Sequence, residues 1–262
     1  MGQPQPGEDA RSPRSEAQLR DAIGPRFRAF IDLHCHTRAS FDSLAAPAAV
    51  VQAAAARGLT HLAITDHDRI DGALEARDAA PDGLQVIVCE EIRTTDGDLI
   101  AAFISEAIPP GLSPPEAIAA IREQGGLVGL PHPFDRFRGS LLRDAGMVTL
   151  ASLVDWVEVH NARVIGNGNE LAVEFAHAHG LPGVAVSDAH STMEVGVAYS
   201  AVDGDPSTVA GLLEALISCQ VVPGRASYVA RAITPAAKLI NRLRGNRRLR
   251  RDATPTDRIA LP

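Results

Sequence analysis

The sequence predicts an α/β fold built on a largely parallel sheet, and three observations carry that prediction. Short runs rich in Val, Ile, Leu and Ala recur along the chain. Patterns with apolar residues at helical spacing separate most of them. Gly, Pro and Ser stand where helices must stop or start. Strand–helix alternation of this kind implies parallel pairing, because a parallel partner is reached only through a crossover.

The elements follow in order. Residues 30–34 form the first strand, and a helix runs from near Pro47 to a stop at Gly58. Residues 61–65 form the next strand, with a helix over 71–79. Residues 84–88 and 98–104 read as strands with no helix between them. Ser113-Pro114-Pro115-Glu116 combines an N-cap, a proline in the first turn and a capping-box carboxylate, so a helix starts there and ends at Gly125-Gly126. Strands at 127–130 and 154–159, a helix over 167–178 and strands at 183–187 and 197–202 complete the alternation. The last helix of the body places Val209, Leu212, Leu213, Leu216 and Ile217 on one face. About seven strands of this kind make either an open doubly wound sheet or a closed barrel, and periodicity does not separate the two.

Flanking this body, residues 1–26 are rich in Pro, Gly, Gln and charge and are expected to be disordered, apart from a short helix near 15–23. Residues 233–262 form a basic, amphipathic tail. There Thr234-Pro235 opens a helix with Ala236, Leu239, Ile240 and Leu243 on one face, followed by Arg242, Arg244, Arg247, Arg248, Arg250 and Arg251. That tail is either a solvated terminal helix or an electrostatic contact for nucleic acid or anionic lipid.

Composition excludes several classes. The 262 residues are 45% hydrophobic and 22% charged, with a net charge of −7, which is ordinary for a globular protein and unlike a general nucleic-acid coat. No apolar run reaches the length of a membrane span. The first residues lack the apolar core of a secretory signal, and Pro6 stands where a myristoylation site needs Ser or Thr. Three scattered cysteines with no C-x-x-C pair argue against a disulfide framework and for a reducing, cytoplasmic setting.

The nine histidines are the informative residues. Asp32, His34 and His36 alternate along the end of the first strand and therefore share a face. Asp66-His67, Glu90-Glu91, His132, His160 and Asp188-Ala189-His190 each end a later strand. In parallel α/β folds that C-terminal rim is where sites are built. Only one of Glu90 and Glu91 can face such a site. His61 begins its strand, and His177 and His179 lie on a helix, so these three are structural or superficial. Cys35 is a small buried hydrophobe.

Taken jointly, Asp32-Leu33-His34-Cys35-His36-Thr37, Ser40-Phe41-Asp42, Thr65-Asp66-His67, Glu91-Ile92, Pro131-His132-Pro133 and Ser187-Asp188-Ala189-His190 resemble the PHP (polymerase and histidinol phosphatase) family, from about residue 30 to residue 202. The resemblance implies a distorted (β/α)7 barrel over residues 27–232 and two or three divalent ions at the C-terminal ends of the strands. It implies that His34, His36, Glu91 and Asp188 hold one ion, that a bridging Glu91 with His132 and His160 holds a second, and that Asp42, His67 and His190 hold a third. Within that set Asp188, His190 and Glu91 are the expected catalytic residues. The segment between Glu91 and His132 is too short for the helical subdomain that phosphatase and nuclease relatives often insert there.

Mixed imidazole and carboxylate donors suit zinc, manganese or iron better than calcium. The resulting expectation is hydrolysis of a small phosphomonoester, a nucleotide or similar, by hydroxide activated between metals attacking phosphorus. The alternatives are a phosphodiesterase or exonuclease acting on short nucleic acids and a non-catalytic metal-binding module. Arg138 and Arg163, with Arg38 and Arg93 behind them, are the candidates to pair with the substrate's phosphate. Phe134 and Phe137 are either a stacking platform for a base or loop packing.

Overall fold

The structure is a computed structural model, and it describes residues 28–137 and 148–248. Its elements run β1 (Arg28–Asp32), α1 (Pro47–Ala56), β2 (His61–Ile64), α2 (Asp71–Asp78), β3 (Gln85–Arg93), β4 (Asp98–Ala102), α3 (Pro114–Glu123) and β5 (Leu127–Leu130). They continue with α4 (Val148–Ala151), β6 (Trp156–Asn161), α5 (Gly168–His179), β7 (Gly183–Val186), β8 (Tyr199–Asp203), α6 (Val209–Leu216), β9 (Gln220–Val222) and α7 (Tyr228–Leu243). The lead-in over residues 1–26, Arg138, Arg250 and Arg251 lie outside the described residues.

Nine strands form one sheet in the order β7-β6-β5-β4-β3-β2-β1-β8-β9. The sheet curls until its ends nearly meet, giving a barrel-like α/β fold. Closure is made by a side chain: the Ser200 hydroxyl on β8 accepts from the Ala185 amide at 2.9 Å and donates to the Ala185 carbonyl at 3.2 Å on β7. Beyond that seam His36 and Ala189 are joined by a backbone hydrogen bond of 2.9 Å.

Pairing is parallel for β1–β2, β2–β3, β5–β6 and β6–β7. It is antiparallel for β3–β4, β4–β5, β1–β8 and β8–β9, which corrects the expectation of a mostly parallel sheet. The reason is connection length. Residues 94–97 suffice for a hairpin but not for a crossover, and no helix intervenes between β7 and β8, so the chain reverses at both places. The short edge strand β9 was not anticipated either.

Inward-facing Ile31, Ala63, Ile87, Ile100, Leu127, Trp156, Val184 and Val202, one from each of the first eight strands, meet in one buried cluster with Leu212 and Leu216 of α6. Trp156 fills that interior only because β5 has no side chain at Gly129, where a Cβ would stand 2.4 Å from the indole. On the outside, Ile118 and Ile121 of α3 and Ala176 of α5 cover Leu99, Val128 and Val157. The α3 capping box forms as expected, with the Ser113 amide and hydroxyl both donating to Glu116. No helix among the described residues is long and apolar enough to cross a membrane.

The tail departs from expectation. Its helix, α7, begins at Tyr228, capped by Ser227, with Pro235 inside it. Its buried face packs on the loop after β1: the Asn241 amide nitrogen donates to the carbonyls of Ser40, Phe41 and Ser43 at 3.2, 3.1 and 2.9 Å. Asn246 does the same for Arg38 and Ala39.

Candidate metal centre

The rim at the C-terminal ends of β1, β2, β3, β5 and β7 carries the site, and buried carboxylates first fix its backbone. Asp32 does not face the site. Its Oδ1 accepts the amides of Ser187 at 3.0 Å and His34 at 3.4 Å, and its Oδ2 accepts Gly196 at 3.1 Å. Burial pushes its pKa up to about 6 against those hydrogen bonds. Asp66 holds the Thr37 amide and hydroxyl, both at 2.6 Å, and burial raises it to about 6 as well. His132 and Asp188 take positive φ values of 27° and 51°, a region that non-glycine residues seldom occupy. Their side chains nonetheless point inward.

Glu91 is the centre of the cluster. Its Oε2 lies 3.3 Å from His34 Nε2, 3.4 Å from His36 Nε2 and 3.2 Å from His67 Nδ1, and its Oε1 lies 3.1 Å from His132 Nε2. Its neighbour Glu90 turns the other way and accepts the Ile108 amide. Asp188 Oδ1 stands 3.6 Å from His36 Nε2 and 3.8 Å from His34 Nε2. Asp42 Oδ2 faces His67 Nε2 at 3.4 Å and His190 Nε2 at 3.2 Å. Two donor groups result, His34–His36–Asp188 and His36–Asp42–His67–His190, each with its ligand atoms within 4.8 Å of one another.

His160 is not brought to this cluster. On β6 the step from Glu158 to His160 is matched by the single step from Val184 to Ala185 on β7, a bulge that turns Glu158 and His160 to opposite sides. His160 Nε2 lies 2.7 Å from the Gly224 carbonyl instead. Glu158 takes the inward place, a role that sequence alternation did not separate from that of His160. It lies 2.6 Å from His34 Nδ1, accepts the His132 amide at 2.9 Å and accepts Asn161 Nδ2 at 2.9 Å. Asn161 also donates to Asp188. Contacts of this kind fix which imidazole nitrogen faces inward: His34 through Glu158 and His190 through the Asp188 carbonyl at 2.8 Å both present Nε2.

The electrostatics call for cations. Burial lowers His36 to about 3, helped by its His190 neighbour, and so keeps this imidazole neutral with a lone pair to offer. Burial also disfavours charge on His34, yet Glu158, Asp188 and Glu91 together hold its pKa well above the ordinary value. The Nε2 atoms of His34 and His36 stand 3.0 Å apart, a spacing that needs a shared proton or a cation between the two lone pairs. Against the cost of burial, His190 and His67 hold Asp42, and His67 and His34 hold Glu91, well below the usual carboxylate range. Converging imidazole nitrogens, ionised carboxylates and a carboxyl group with both oxygens engaged fit divalent transition ions.

A cavity of about 350 Å³ opens onto the cluster, with His36, Asp42, His67, Glu91, His132 and His190 on its floor. Arg163 lines it, but Nη1 is bound to Glu194 at 2.6 Å and Nη2 to Thr234 at 2.8 Å. Arg38 pairs with Glu75 at 2.8 Å, and neither it nor Arg93 lines the cavity. The cations that do stand at the mouth, Lys238 and Arg248, come from the tail. Phe134 packs edge-on against Phe175, while Phe137 is exposed on the cavity rim. His61 bonds to Thr60 and Ser207 at the opposite edge of the sheet, as its position in the strand implied. Cys35 is fully buried, and burial raises its thiol pKa well above the usual value, so it is no nucleophile.

Comparison with known proteins agrees with this geometry. Residues 32–125 match the PHP domain model, and residues 166–221 match the PHP-associated (PHP_C) model. An uncharacterized protein of Methanocaldococcus jannaschii is 37% identical over 142 residues, covering 50% of this chain and 81% of the relative. A two-domain Bacteroides vulgatus protein, described as containing a predicted PHP-like metal-dependent phosphoesterase, superposes with a TM-score of 0.66 at 19% identity, over 76% of this chain and 66% of that one. The lesion-specific endonuclease EndoQ of Pyrococcus furiosus superposes with a TM-score of 0.58 at 17% identity, over 74% of this chain and 58% of that one. With His34, His36, Asp42, His67, Glu91, Asp188 and His190 of the cluster inside the matched segments, the chain belongs to the PHP domain family.

Proposed function

We propose that this chain hydrolyses a small phosphomonoester, a nucleotide or similar molecule, at the histidine–carboxylate cluster. The observation that carries the reading is Glu91, one carboxylate with both oxygens on imidazoles, which joins the two donor groups. His34, His36 and Asp188 with Glu91 would hold one ion, and Asp42, His67 and His190 a second. Among the described residues, His132 Nε2 and Glu91 Oε1 are the two donors that would begin a site for a third ion. Bound there, divalent transition ions supply Lewis acidity toward phosphoryl oxygens and lower the pKa of water. The protein's own part is to orient the imidazoles, Glu158 through His34 Nδ1 and the Asp188 carbonyl through His190 Nδ1. A cavity of about 350 Å³ suits a small molecule, lying at the low end of ligand pockets.

A second reading, phosphodiester cleavage in short nucleic acids, is favoured by the basic residues that continue from the mouth along the tail, Arg242, Arg244, Arg247 and Arg248. Deleting the tail does not separate the two readings, because Arg248 lines the cavity and Asn241 holds the loop that carries Asp42. The separating experiment is a metal analysis of chelator-free protein combined with assays on phosphomonoester and diester panels across a salt series. About two tightly held transition ions per chain and monoesterase turnover that is lost in His34→Ala are expected. Turnover confined to diesters, falling steeply with salt, selects the nuclease. A protein that stays inert after manganese, zinc or iron is added leaves only a metal-binding module.

A further inference from the structure

The cavity has a charge problem that the metal ligands alone do not solve. Asp42, Glu91 and Asp98 all line it, and a phosphoryl group brings more negative charge. Of the cationic side chains that line it among the described residues, Arg163 has both terminal nitrogens bound to Glu194 and Thr234. The other two, Lys238 and Arg248, both reach the mouth from the C-terminal segment.

Their geometry is that of a prepared pair. Lys238 Nζ lies 5.2 Å and Arg248 Cζ 5.9 Å from the centre of the Phe41 ring, so one aromatic ring seats both heads. Phe41 is itself held from behind by Asn241 of the same helix. Lys238 Nζ stands 4.0 Å from Asp42 Oδ2, beside the second donor group. Arg248 is oriented by Asp98, with Nη2 at 2.8 Å and Nη1 at 3.3 Å, and its Nε lies 3.5 Å from Asp68. A guanidinium has five N–H donors, so each Nη of Arg248, like each Nη of Arg163, keeps one N–H beyond its bonded partner. Arg248 differs in sharing the Phe41 ring with Lys238. The Arg248 side chain is only 17% exposed, so its charge acts through little solvent.

We propose that Lys238 and Arg248 form a cationic clamp, delivered by the C-terminal segment, that binds the non-bridging oxygens of the substrate's phosphoryl group. The clamp deepens the phosphoesterase reading and rests on it. Arg248, fixed and shielded, sets orientation. Lys238, with its side chain 51% exposed, draws the anion in.

The test is calorimetric titration of inorganic phosphate into the metal-loaded protein, beside steady-state assays on a phosphomonoester and melting curves. Arg248→Met should weaken phosphate about tenfold to a hundredfold, the range of a lost charge-assisted hydrogen bond, with KM rising in step. Arg248→Lys should restore part of that loss. Lys238→Met, at an exposed position that folding tolerates, should weaken phosphate by about threefold to tenfold, and this loss should shrink at high salt. If Arg248→Met does not fold, Lys238→Met decides alone. Wild-type phosphate affinity in the folded variants, with only the melting temperature lowered, would show that Arg248 is a structural ion pair and overturn the clamp alone. A wild-type protein that neither binds phosphate nor turns over any phosphoester overturns the parent reading, and the clamp with it.

Discussion

At the scale of single residues, the site depends on which way a side chain leaves its strand. His34, His36, His67, Glu91, His132, Asp188 and His190 were legible as one set, because strand ends deliver them to one rim and their types suit one chemistry, and the family resemblance added Asp42. The structure brings all eight together. His160 was not legible. Alternation predicts that it shares a face with Glu158, and a bulge reverses that, a backbone irregularity with no side-chain signature in Val157-Glu158-Val159-His160. Two substitutions separate these roles. Glu158→Gln should lower metal affinity roughly 10–100-fold, the usual cost of removing a ligand's outer hydrogen-bond partner, whereas His160→Ala should leave it unchanged. Titration with a competing chelator measures both, and loss of metal in His160→Ala would return that residue to the ligand set.

At the scale of elements, most helices and strands could be read from capping, glycines and periodicity, but not the short helix Val148–Ala151 or the start of the last helix at Tyr228. The directions of β4 and β8 could not, since composition does not encode direction and only the connection lengths do. Interior packing yields a sharp expectation. Gly129→Ala puts a Cβ against the Trp156 indole, and overpacking of a filled core costs about 1–3 kcal/mol. Chemical denaturation should find that loss with no change in the slope, while a neutral result would mean that Trp156 can shift. The helix α7 is equally testable. Asn241→Ala removes the donor shared by three loop carbonyls and should cost about 1–3 kcal/mol. The affected loop carries Asp42, so the same variant should also release metal more readily, as read by metal content after dialysis.

At the scale of the whole molecule, the tail was legible as an amphipathic basic helix but not as a wall of the site. Its partners, the carbonyls of residues 38–43, lie at the other end of the chain, and sequence patterns report local neighbours only. The concentration of acidic groups around the rim has a global consequence. Ions bound only by the folded state stabilise it by mass action, about 2.7 kcal/mol at a free concentration one hundred times Kd. Chelation should therefore lower the melting temperature well beyond any effect on a His34→Ala variant. Equal shifts in both proteins would mean that the cluster holds no stabilising ion.

The three hydrogen bonds from Asn241 also set an order of events in the life of the polypeptide. Asn241 follows Ser40 by 201 positions. At about 5–20 residues per second of synthesis, roughly 10–40 s pass between the emergence of the histidine-bearing loop and the arrival of the residue that ties it down. During that interval Asp32, Asp66 and Ala189 can already hold His34, Thr37 and His36, while the carbonyls of Ser40, Phe41 and Ser43 still lack their Asn241 donor. The last fastening of the rim is thus made by the C-terminal helix, after every residue of the histidine–carboxylate cluster has been synthesised.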